Sequence, residues 1–114
     1  MAAYIPRKGD FVALTLDPQS GHEQRGRRPA LVVSNDLFNK HTGLCIVCPI
    51  TNTQRDYPFH VVIPERTDVT GLTGVVMVEQ VKSIDFRSRS AKRIGSAPDA
   101  VLEEVLSILD ACIY

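Results

Sequence analysis

The stretch Glu23-Gln24-Arg25-Gly26-Arg27-Arg28-Pro29-Ala30-Leu31-Val32-Val33-Ser34 joins a carboxylate, three arginines and a glycine directly to a short apolar run. Proline at position 29 fixes its own φ and drives Arg28 toward an extended backbone. Arg28 is therefore expected to stand rigidly at the mouth of a strand. A fixed guanidinium is a planar fork of donors suited to phosphate oxygens. The run from Ala30 to Ser34 is apolar on both faces and reads as a buried strand.

Outward from this strand the chain keeps the same character. Asp10 to Leu16 is rich in β-formers and reads as a first strand, followed by the turn cluster Asp17-Pro18-Gln19-Ser20-Gly21. Asn35 to Asn39 is expected to be one helical turn or a loop, and Lys40 to Gly43 a turn. Leu44 to Thr51, Phe59 to Ile63 and Gly74 to Val78 read as further strands. Asn52 to Pro58 and Pro64 to Gly71 read as loops. Glu79 to Lys82 begins a link to Ser83-Ile84-Asp85-Phe86, and Arg87 to Arg93 reads as a sheet edge or final strand. The last element is the clearest helix. Leu102, Val105, Leu106, Leu109 and Ile113 form one apolar stripe, with Ser96 and Asp99 in a capping-box pattern at its start. Short strands followed by one closing helix predict a mainly β fold: a small curled barrel whose loops gather at one end.

The length of 114 residues sets one domain, residues 1–114. No run approaches the ~20 apolar residues of a membrane span. Met1 to Pro6 lacks the apolar core of a secretory signal, so the cytoplasm is the expected location. All thirteen Lys and Arg residues lie within residues 1–93. Nine acids accompany them, so this part is net +4, while Asp99, Glu103, Glu104 and Asp110 make the C-terminal segment acidic. Charge alone leaves open an acidic helix face on a neutral protein or a basic groove with an acidic flank. Cys45 and Cys48 have C-x-x-C spacing, but on a strand residues three apart point to opposite faces, and Cys112 stands alone. Buried, unreactive thiols are expected, and no metal site.

Four blocks occur in order: Glu23-Gln24-x-Gly26-x-Arg28-Pro29, Pro49-Ile50-Thr51-Asn52, Tyr57-Pro58-Phe59 and Glu79-Gln80-Val81-Lys82-Ser83-Ile84. With them the chain resembles the MazF/PemK toxins of bacterial toxin–antitoxin pairs, from Gly9-Asp10 to the final helix. The resemblance implies an SH3-like (CcdB/PemK-like) barrel and a homodimer. It implies a metal-independent endoribonuclease with no cofactor, cutting single-stranded RNA at short motifs to leave 2′,3′-cyclic phosphate and 5′-OH ends. It also implies a MazE-like antitoxin partner with an acidic disordered tail, and no membrane. The related CcdB-type fold poisons DNA gyrase by protein binding, but that class lacks the Arg-Pro and Thr blocks.

By the same resemblance Arg28, Thr51 and Glu23 are the expected catalytic residues. RNA carries its own nucleophile, so the protein must align it, move protons and stabilise a negative phosphorane. Arg28 matches the arginine of the R-P motif and takes the last role. Thr51 can donate its hydroxyl to a phosphate oxygen. Glu23 either accepts the 2′-OH proton or orients Arg28. Arg25, Arg27, Thr53, Arg55, Arg87 and Arg89 are expected to bind the RNA, with Arg89 matching an RNA-contacting arginine after the V-K-S-I block. Tyr57, Phe59 and Phe38 are loop-adjacent aromatics, with Phe59 expected in the core. His22, His41 and His60 match no motif and are expected to be solvated or structural. Arg27 and His60 depart from residues found in some relatives, which bears on the choice of cut site.

Overall fold

The computed structural model describes residues 3–15, 27–52, 57–64 and 72–114. Seven strands appear among these residues: β1 (Asp10–Thr15), β2 (Arg27–Val32), β3 (Leu44–Thr51), β4 (His60–Ile63), β5 (Gly74–Met77), β6 (Lys82–Asp85) and β7 (Lys92–Ser96). Helix α1 (Asp36–Thr42) lies between β2 and β3, and helix α2 (Asp99–Ile113) ends the chain. The path through the sheet is β4-β5-β3-β2-β1-β7, with β6 also pairing β3. Every pairing is antiparallel.

Strand β3 organises this arrangement. Its first half, Leu44 to Val47, pairs β6; Val47 to Pro49 pair β2; Ile50 and Thr51 pair β5. One long strand thus carries β2 along one edge and β6 then β5 along the other. A register shift between Phe11 and Val12 adds to the curl where β1 meets β7.

Strict alternation along these strands builds two cores, one on each face. Phe11, Leu31, Cys48, Ile50, Val61, Ile63 and Val76 pack with Val101, Val105 and Leu109 of α2. Val12, Leu14, Ala30, Val32, Cys45, Val47, Ile84 and Phe86 form the second core. The two cysteines fall on opposite faces, as their spacing on a strand requires. Burial pushes both thiols from an ordinary value of 9.0 up to about 12, with the Glu79 charge adding to the effect at Cys48. Cys112 is exposed. A thiol reagent at pH 8 is expected to modify Cys112 alone in the folded protein and all three thiols after unfolding. Because the folded pKa values are raised, this contribution to stability is complete below pH 9.0 and is lost as the pH rises toward about 12. A melting temperature that stays flat up to pH 8 and falls above 9 is the matching thermal signature.

The helices differ from expectation in instructive ways. Asn35 to Asn39 is no isolated turn: α1 runs on to Thr42, through the segment expected to be a turn. The Asn35 side chain accepts from the Phe38 N–H at 2.8 Å, and Gly43 closes the helix in the left-handed conformation (φ 74°). The fully buried Asn39 secures it, donating to the Pro6 carbonyl at 2.7 Å while accepting from the Ser34 hydroxyl. At the other helix, the capping box is absent. The helix begins at Asp99 with Pro98 as its cap, and no side chain caps it. Ser96 instead ends β7, where its hydroxyl accepts from Arg93 Nη2 at 2.6 Å. The stripe is shifted as well. Val101, Val105 and Leu109 are the buried residues, Leu102 and Leu106 are half-buried, and Ile113 is exposed. No helix among the described residues is long and apolar enough to cross a membrane.

Strand β2 starts at Arg27, three residues earlier than the apolar run indicates. Hydrogen bonding to β1 extends it, because Arg27 and Arg28 pair with Thr15 and Leu14. Strand β5 stops at Met77, and Val78 to Gln80 form a 3-10 turn before β6. Arg87 to Ser90 make a turn rather than a strand, with the Arg87 and Ser88 N–H groups donating to Asp85 Oδ1.

Candidate active site

Extending the β2–β3 register by two residues beyond Ala30↔Pro49 sets Arg28 level with Thr51. The two residues line one cavity of about 310 Å³ together with Pro29, Ile50, Asn52, Leu72 and Thr73. Arg28 is exposed, lies in β2 opposite Leu14, and its guanidinium has no ion-pair partner among the described residues. Thr51 is the last residue of β3 and lies opposite Val75 of β5. Core residues anchor both: Ala30 and Leu31 follow Arg28, and Ile50 precedes Thr51. The cavity thus holds a fixed cation and a hydroxyl on two adjoining strands.

Asn52, Leu72 and Thr73 complete the cavity lining and were assigned no site role from the sequence. The Thr73 hydroxyl faces Asn52 Oδ1 at 3.5 Å. Gly74 has φ +119°, and a Cβ there would lie 2.2 Å from the Thr51 carbonyl oxygen. This close approach lets β5 lie against the end of β3. A lone glycine opening an apolar run was the available signal.

The predicted RNA-binding set divides by environment. Arg27 is half-buried and donates to three backbone carbonyls: Ser90 at 2.8 Å, Ala13 at 3.1 Å and Arg89 at 3.3 Å. Arg89 donates to the Thr15 carbonyl at 3.0 Å and is also half-buried. These two guanidiniums fasten the end of β1 to the turn before β7. Arg87 stands exposed in that turn. Glu23, Arg25, Thr53, Arg55 and His22 lie outside the described residues. His41 is exposed on α1. The His60 side chain is 8 % exposed and bonds Glu79 at 3.2 Å, a structural placement. Phe38 is half-buried. Phe59, expected in the core, is exposed, because it lies in the turn before β4 and outside the strand's alternation.

A second polar centre lies away from this cavity. Asp10, nearly buried, accepts from the Tyr4 hydroxyl, the Arg7 N–H at 3.1 Å and Arg93 Nε at 3.3 Å. Burial, then the hydrogen bond to Asp10, pushes the Tyr4 phenol well above its usual range. Among the described residues no group of His, Cys, Asp and Glu side chains is placed to hold a metal ion.

Known proteins are similar to this chain over nearly its whole length. The family described as PemK-like, MazF-like toxin of type II toxin-antitoxin system matches residues 7–113. Endoribonuclease toxin ChpB of Escherichia coli K12 is 46% identical over 110 residues, covering 93% of this chain and 92% of that protein. Endoribonuclease toxin MazF of the same organism is 34% identical over 113 residues, covering 99% and 98%. Among solved structures, MazF in a MazE–MazF complex from Deinococcus radiodurans shares 41% identity at a TM-score of 0.85, with 96% of this chain and 97% of that chain covered. On sequence and fold alike, the chain belongs to the PemK-like, MazF-like toxin family of type II toxin–antitoxin systems.

Proposed function

We propose that this protein is the endoribonuclease toxin of a toxin–antitoxin pair, cleaving single-stranded RNA at short motifs without a metal ion. The supporting observation is that Arg28 and Thr51, far apart in sequence, share one cavity in a chain whose relatives are named endoribonucleases. In the reaction the ribose 2′-oxygen forms a bond to the adjacent phosphorus and the P–O5′ bond breaks. The products are a 2′,3′-cyclic phosphate and a 5′-OH end. The 2′-OH proton leaves to a base, for which Glu23 is the candidate, and the departing 5′-oxygen gains a proton. Arg28 stabilises the extra negative charge on the phosphorane oxygens, and Thr51 donates to one of them. Arg25, Arg27, Thr53, Arg55, Arg87 and Arg89 supply further RNA contacts, and Arg27 and Arg89 also brace the turn before β7. Such contacts give affinity that falls with salt, while base contacts give the cut-site preference.

Purified protein incubated in EDTA with a long unstructured RNA is expected to cut at a few short sequences and leave 5′-OH ends. Undamaged RNA, or cutting that requires added metal, would overturn the proposal.

The partner in this reading is a MazE-like antitoxin whose acidic tail occupies the basic groove, and the working unit is a cytoplasmic homodimer. Leu37, Val62, Ile113 and Tyr114 support the dimer, being large apolar residues left 59% exposed or more on one protomer. The mass in solution is expected to be that of two chains, and a stable monomer at micromolar concentration would refute it.

A further inference from the structure

The face of the sheet that carries Thr51 continues away from the cavity. Thr51 lies opposite Val75, and Val75 opposite Val62, so the three share a face; His60, two residues before Val62, shares it too. Their neighbours Ile50, Val76, Val61 and Ile63 all point into the core on the other side. Two strand spacings and a two-residue rise set His60 about 12 Å from Thr51.

Three rings gather there. Tyr57 meets Phe59 edge to face with ring centroids 5.7 Å apart, and meets the His60 ring at 4.9 Å. Tyr57 keeps 44% and Phe59 38% of its surface exposed. Their backbone is fixed. The Tyr57 carbonyl accepts from the His60 N–H at 3.0 Å, and the Phe59 carbonyl from the Val78 N–H at 3.1 Å. His60 is the brace below. Its Nε2 bonds Glu79, its Nδ1 is buried with no partner, and its side chain is more than nine-tenths buried. The ring is therefore held by Glu79 on one side and by Tyr57 packing on the other.

We propose that Tyr57 and Phe59, braced by His60 on Glu79, form a stacking platform for one base of the RNA strand whose phosphate occupies the Arg28–Thr51 cavity. This rests on the ribonuclease reading above. Exposed, immobilised aromatic faces near a phosphate site are the arrangement that captures unpaired bases, because every base offers a π-face. The ordering of the rings is already complete before RNA arrives, so binding loses little side-chain freedom. Tyr57 and Phe59 contact the base; His60 is a positioning residue.

The test uses a labelled single strand selected for tight binding from a random pool, with every 2′-hydroxyl replaced by hydrogen so that it binds but is not cut. Each base is removed in turn. For the wild type, removing one particular base is expected to weaken binding about tenfold. Tyr57→Ala is expected to start about tenfold weaker and to lose nothing more at that position. Tyr57→Phe keeps the ring and should match the wild type. His60→Gln keeps a donor for Glu79 and should stay near the wild type, whereas His60→Leu should reproduce Tyr57→Ala at an unchanged melting profile. Identical base-removal penalties in wild type and Tyr57→Ala at every position would overturn the platform. So would failure of the wild type to bind. Loss of binding to an acidic antitoxin peptide without loss of strand binding would assign the rings to a protein partner instead, and also overturn it. Coupled loss in a wild type that cuts no RNA would keep the platform and reject the ribonuclease reading.

Discussion

Arg28→Ala is expected to lower the RNA cleavage rate by about 10²- to 10³-fold, the usual consequence of removing one donor aimed at developing negative charge. The argument rests on placement. Arg28 is part of β2, so its backbone is fixed by pairing with Leu14, while its side chain opens into the cavity shared with Thr51. It contributes no ion pair to the described residues, and it is exposed, so the melting temperature should hardly move. Arg28→Lys is expected to recover only a small part of the loss, because a point charge cannot reproduce two parallel N–H donors. Single-turnover cleavage of a short RNA, measured beside a thermal melt, separates chemistry from stability. A rate within threefold of wild type would remove Arg28 from the reaction.

Gly74→Ala should damage both the fold and the reaction. The glycine adopts φ +119°, a conformation that costs an ordinary residue about 1–3 kcal/mol. The added carbon would also lie 2.2 Å from the Thr51 carbonyl oxygen and 3.2 Å from Asn52 Oδ1. The obstacle is backbone, so it is not relieved by turning a flexible side chain. Strand β5 must withdraw from the end of β3, and Thr51 loses its position against Arg28. A displacement of about 1 Å at a reacting group is worth about 100-fold in rate. Denaturant unfolding and single-turnover cleavage should therefore both change. A variant with unaltered stability and rate would show that β5 does not fix Thr51.

The sequence made the strands and the two-sided core legible because alternation is local. Cys45 and Cys48 are the clearest instance, since three residues on a strand put them in separate cores. Arg28 was legible because proline restricts its neighbour. What escaped was set by distant partners. The start of β2 depends on β1, and the length of α1 depends on Asn39 reaching Pro6. The α2 cap was misplaced because Ser96 is drawn into β7 and held by Arg93. Gly74 escaped because its reason is a carbonyl more than twenty positions earlier in the chain. Arg27 and Arg89 read as nucleic-acid contacts, and nothing in the sequence showed that they also donate to the protein's own carbonyls. Charge in a sequence does not reveal where a hydrogen bond will be made.

Strand β1 is flanked by β2 on one side and by β7 on the other, and the Ala97 N–H donates to the Gly9 carbonyl at 2.8 Å. Strand β1 therefore waits for β7. A nascent chain that stops short of Lys92 leaves β1 with one bare edge and the core without α2. Folding units close only when their non-local pairings are available. The wall that holds Arg28 is thus secured only once the segment from Lys92 to Ile113 has left the ribosome.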